Sequence, residues 1–126
     1  MAFTDYLENK LLAHTFSNTA YTSPSTVYVA LYTVAPTDST TGTEVTGGAY
    51  ARQSASFTTS GSATTNAAAI EYPTATANYG TVVAVAVLDA ASSGNMLAFA
   101  SLDANKTIAT GDVFRIPAGD LDITLN

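Results

Sequence analysis

Cysteine and tryptophan are absent from this chain of 126 residues, and histidine occurs once. Without cysteine there is no disulfide framework, no thiol nucleophile and no thiolate metal site. Charge is scarce too. Charged residues make up 11% of the chain, against about 25% in an ordinary soluble domain. Four basic residues face ten acidic ones, for a net charge of −6. Four scattered cations cannot neutralise a phosphate track, so direct nucleic-acid binding is excluded. Long apolar runs are also missing. The longest, Val82 to Leu88, has seven residues, far short of the about 20 that span a bilayer as a helix. The opening Met1–Tyr6 has no basic region leading into an apolar run, so it reads as no secretory signal. Synthesis in the cytoplasm and no membrane insertion are the expectations.

The missing charge is replaced by 21 threonines, 11 serines and 23 alanines. The apolar share is 47%, enough for a core, and the length predicts a single domain over 1–126. Residues 5–16 read as a helix: Tyr6, Leu7, Lys10, Leu11 and His14 recur at spacings of three and four, and Leu12 and Phe16 widen the stripe. Asp5 and Glu8 have capping-box spacing. Twelve residues make a marginal helix alone, so this one must pack on something.

The rest of the chain alternates with period two. Thr26–Val34 is the clearest strand, apolar on both faces, which predicts a central strand covered on both sides. Ala35–Gly48 reads as a polar loop, Tyr50–Thr58 as a strand and Thr59–Thr65 as a second loop. Ala67–Tyr72 is a short strand stopped by Pro73, Tyr79–Leu88 a second strong one, and Met96–Ser101 its return. Val113–Ile116 and Leu121–Leu125 complete the set. About seven short strands after one helix predict a mainly β fold, an antiparallel β-sandwich or jelly-roll-like domain with one N-terminal α-helix. With so few lysines, its sheet edges need cover from a partner subunit, a loop or the helix.

Catalytic chemistry finds no support. His14 is the only imidazole and lies on or beside the helix stripe, with no nucleophile elbow of the Gly-x-Ser-x-Gly type anywhere. Asp120 and Asp122 are two apart, but a sugar-cleaving cleft usually adds aromatic platforms that this chain is poorly equipped to build. Asp38–Glu44 is oxygen-rich, yet it lacks the alternation and the closing Glu of a calcium loop. No catalytic, cofactor or metal residue is expected. Arg52 is expected to pair with a carboxylate, Glu44 or Glu71. Of the seven tyrosines, Tyr28, Tyr32 and Tyr50 read as core-facing, and Tyr21, Tyr72 and Tyr79 flank turns. Those last three serve equally as core rim or as contact surface. Together with Leu7 and Leu11 they are the candidate interface residues.

Five segments, in order, resemble a family of small tailed-bacteriophage virion proteins of tail-fibre-like type. They are DYLENKLLAHTF, YTSPSTVYVALYTVAPTD, GTEVTGGAYARQSASF, AAAIEYPTATANYGTVVAVAVLDA and GNMLAFASLDANKTIATGDVFRIPAGDLDITLN. The resemblance runs from Asp5 to Asn126, and the order of the segments is more specific than any one of them. It implies a non-enzymatic structural subunit of the virion, made in the bacterial host. Such a subunit would associate with itself, with a trimer among the arrangements, and with other virion proteins. A capsid decoration or cement protein, and a host-receptor or glycan-binding module at a tail tip, are the alternatives.

The scarcity of charge fits assembly. Few long charged side chains leave little rotamer entropy to lose at a contact. Threonine and serine keep a β surface wet without repelling a neighbour.

Overall fold

A computed structural model describes residues 1–125; Asn126, the last residue of the expected 1–126 unit, lies outside it. The elements are β1 (Ala2–Phe3), α1 (Asp5–Phe16), β2 (Val27–Val34), β3 (Thr43–Glu44), β4 (Gln53–Ala55) and β5 (Phe57–Ser60). They continue with β6 (Ala63–Asn66), β7 (Ile70–Glu71), β8 (Gly80–Leu88), β9 (Met96–Ile108), β10 (Arg115–Ile116) and β11 (Asp122–Thr124). The fold is mainly β with one N-terminal helix, and every ladder is antiparallel. No helix is long and apolar enough to cross a membrane among the described residues.

The main sheet runs β1-β9-β8-β2-β3, with β4 also paired to β2. β2 and β8 form its centre because both are apolar on alternate and intervening positions alike. Val29 faces Val87 and Leu31 faces Val85 on one side of the sheet; Ala30 faces Ala86 and Tyr32 faces Ala84 on the other. The first side carries the larger core, closed by Ile70, Tyr72, Phe114, Ile116 and Leu121 from the other sheets and their flanks. The second carries a smaller core of Ala30, Tyr32, Ala84, Ala86, Leu88 and Met96. Residues of the 36–42 and 89–95 loops share a recess with Tyr32, Leu88 and Met96 on this second side. The double coverage expected of the Thr26–Val34 strand is therefore present.

A single jelly-roll-like sandwich is not. The second layer consists of two small unclosed sheets, β5-β6-β11 and β7-β10. The β7–β10 ladder is short for a chemical reason: Pro73 lies two residues past β7 and Pro117 directly follows β10, and proline has no N–H to extend a ladder. The expected Tyr50–Thr58 strand also splits. β4 pairs with β2, whereas β5 begins after Ser56 and pairs with β6.

Two loops read from the sequence contain strands. Thr59–Thr65 is largely a hairpin, with Ser60 facing Ala63 across Gly61-Ser62, and Gly61 takes the positive φ of 60° that this tight turn requires. The Ala35–Gly48 loop contains β3. The return strand β9 runs to Ile108, well past Ser101. Val82 faces Lys106 while Ala84 faces Ser101, so residues 102–105 bulge out of register.

The helix spans the expected 5–16, but its cap is Thr4 rather than the Asp5/Glu8 box. Thr4 Oγ1 accepts from Leu7 N at 3.4 Å and lies 2.6 Å from Met96 O, to which it donates. One hydroxyl thus starts the helix and fastens it to β9, and a carboxylate could not donate that second bond. Asp5 and Glu8 instead sit in the first turn, favourably placed against the helix dipole. Tyr6 and Leu7 pack against the larger core, yet no residue of the helix is fully buried.

Candidate assembly surface

The best-formed polar cluster in the chain is a structural clamp. Arg52 makes a bidentate pair with Glu44: Nε to Oε2 at 2.9 Å and Nη2 to Oε1 at 2.8 Å. Its Nη1 donates to the carbonyls of Ala90 and Ser93, both at 2.9 Å. Tyr50 Oη donates to Glu44 Oε2 at 2.6 Å and accepts from Leu31 N at 3.0 Å. β2, β3, the start of β4 and the β8–β9 turn are thereby tied at one point. Of the two carboxylates left open by the sequence, Arg52 takes Glu44.

Burial alone would raise the Glu44 carboxyl. The hydrogen bonds from Arg52 and Tyr50, with the Arg52 charge, outweigh it and hold the group below its ordinary value of 4.5. Burial and the Glu44 charge push the Tyr32 hydroxyl up to about 12. Burial and the hydrogen bond to Glu44 raise Tyr50 as well. Both phenols stay protonated, and Tyr50 serves as a donor to Glu44. Arg52 spends four of its five N–H groups within the fold, and Tyr50 spends its hydroxyl on Glu44.

The five candidate interface residues do not come together. Tyr72 is 2% exposed and Tyr79 is 4% exposed. The Tyr72 hydroxyl donates to Val29 O at 2.7 Å and that of Tyr79 to Pro73 O at 3.0 Å. Tyr50 stacks on Tyr72 and meets Tyr79 edge-on, with centroids 6.1 and 5.8 Å apart. Two of the three turn-flanking tyrosines, Tyr72 and Tyr79, thus lie in the core, because the turns they flank fold back over the main sheet. Leu7 packs on the same core, and Leu11 and Tyr21 are half-buried.

Val34, Val113 and Leu125 are exposed singly, and two further open apolar side chains lie together on the helix. Phe16 is 79% exposed and Leu12 is 59% exposed. The helix carries two faces, and the stripe expected to widen toward the body instead splits. Tyr6 and Leu7 turn inward. Asp5, Glu8, Leu12 and Phe16, at spacings of three and four, form an outer row in which every member is exposed. Periodicity could have separated the two rows: Leu12 and Phe16 fall well over 90° around the helix from Leu7 at about 100° per residue.

His14 is exposed, and its Nδ1 accepts from Tyr21 N at 3.3 Å. Asp5, Glu8 and Asp38 bring carboxylates within 4.8 Å of one another, all three exposed. Asp38 is the only member from the loop that the sequence singled out as oxygen-rich.

Residues 2–124 match the model of a family described as Podophage GP4 fiber I protein gp80. The chain belongs to this fibre-protein family. The match takes in both the clamp and the helix with its outer row, and it agrees with the segment-by-segment resemblance in the sequence. No curated protein matches the chain. As a member of the Gp80 family the chain is a non-enzymatic structural protein of the tailed-phage virion, of tail-fibre type.

Proposed function

We propose that this fibre protein works as a self-associating building block, taking residues 1–126 as one structural unit that joins copies of itself and other virion proteins. We read the two small sheets over the main one as a sandwich-like body, and α1 as its connector. The observation that carries the proposal is the outer row of α1. A 12-residue helix with no buried residue turns Leu12 and Phe16 into solvent. Large exposed apolar side chains grouped on one face mark contact surfaces. Half-buried Leu11 and Tyr21 are proposed to extend that surface. A trimer is the arrangement proposed first, since closed cyclic symmetry leaves no contact unmet.

Sedimentation velocity on the purified chain tests this, with labelling of the chain on intact particles. Assembly in solution and label on the tail are the expected results. A chain that stays monomeric, or label on the head, overturns the proposal.

A further inference from the structure

We propose that α1 of one copy docks into a groove on the next, head to tail, so that the self-association argued above is heterologous rather than face to face. The groove has a volume of about 450 Å³ and lies between the β9 bulge and the β10–β11 segment. Leu102, Phe114 and Ile116 line it with apolar surface, and Lys106 and Arg115 line it with charge. These are two of the four basic side chains of the whole protein. Among the described residues neither is in a salt bridge, the single pair being Arg52–Glu44.

The outer row of α1 is the complement on the same chain. Leu12 and Phe16 offer an exposed apolar pair, and Asp5 and Glu8 offer two exposed carboxylates about one to three turns away. Asp38 adds a third beside them. Two such rows facing each other in parallel would set acid against acid. A row facing the groove sets carboxylates against Lys106 and Arg115, and apolar side chains against apolar lining. The groove also holds Asp103, Asp120 and Asp122. They cancel any general attraction for anions, so the apolar pair supplies the adhesion and the two cations supply the orientation.

A heterologous contact uses two different surfaces, so each copy has one free surface of each kind and the contact propagates into a ring or a filament. A mixing experiment reads this directly. One variant carries Phe16→Asp, which spoils the helix row; the other carries Lys106→Glu and Arg115→Glu, which spoils the groove. All three sites are exposed, so both variants should keep the far-UV circular dichroism of the parent. Phe16→Ser and Arg115→Gln are the milder replacements if either does not fold.

At a concentration where the parent is assembled, each variant alone should sediment as a monomer. The 1:1 mixture should sediment as a dimer and no larger, because it has one intact helix row and one intact groove. Added salt should weaken the parent assembly, since the charged contacts are screened. If the parent assembles and the groove variant assembles equally well, the docking site is overturned while self-association stands. A mixture that stays monomeric overturns the head-to-tail geometry. A parent that is itself monomeric overturns both readings.

Discussion

Among the described residues Arg52 holds the single salt bridge. It donates four hydrogen bonds to three residues. Its side chain is only 10% exposed, against 24% for Glu44. Removing one partner of such a pair leaves the other charge poorly compensated. Fully buried pairs lose about 3–5 kcal/mol in this way. Glu44 keeps some solvent, so Arg52→Ala should cost about 2–3 kcal/mol, measured by urea unfolding. The Glu44 carboxyl is depressed in the folded state. Its contribution is therefore complete above the unfolded pKa and is lost as the pH falls from about 4.5 through the lower folded value. Unfolding curves between neutral and acid pH should show stability declining over that window, with a shallower decline in Glu44→Gln. Equal slopes in the two proteins would remove Glu44 from the account.

At the scale of elements, connections rather than strands are the sensitive points. Thr4 caps α1 and also holds Met96. Thr4→Ala should cost about 1–2 kcal/mol, and Thr4→Ser should recover most of it; equal loss in both would assign the effect to packing of the methyl group. The turns can be ranked the same way. A Cβ on Gly94 would stand 2.6 Å from Asp89 Oδ1 and 2.7 Å from Ala90 Cβ, at φ +75°. A Cβ on Gly61 would meet nothing within 4 Å, at φ +60°. Gly61→Ala thus bears only the left-handed backbone penalty of about 1–2 kcal/mol. Gly94→Ala bears that penalty plus a collision, and should lower the melting temperature clearly more.

For the whole molecule, the sheet edges need less cover than their low charge suggests. β1 pairs with β9 only at Ala2–Phe99 and Phe3–Ala98. The remaining edge of β9 carries the bulge, Asp103 and Lys106, all three of which discourage stray strand pairing. β3 and β4 end the sheet in two and three residues. This leaves the proposed contact between copies to the helix rather than the edges. Assembly that binds only the folded form stabilises it by mass action, so the melting temperature should rise with protein concentration. Phe16→Asp should abolish that dependence while leaving the dilute-solution melting temperature nearly unchanged. Differential scanning fluorimetry over a concentration series reads both quantities.

The legible parts of this protein were local or compositional. The helix bounds, the two long apolar strands, the mainly β class and the poverty of chemistry follow from periodicity and residue counts, which report each segment's own burial. The fibre family was legible in the order of whole segments. The Gly61-Ser62 hairpin was also within reach, since glycine-serine lies between two threonine-rich runs of equal length.

Other features depend on which segments meet, and no local pattern carries that. Glu44 rather than Glu71 pairs with Arg52 because β3 and the start of β4 flank the same strand, β2. Tyr72 and Tyr79 are central because their turns close over the main sheet, and a tyrosine beside a turn looks alike in sequence whether the turn folds inward or out. The helix stripe reads as one face in sequence because both rows contribute apolar side chains. Tertiary packing decided between them: the body has room for one row, held by Tyr6 and Leu7, and leaves Leu12 and Phe16 to solvent.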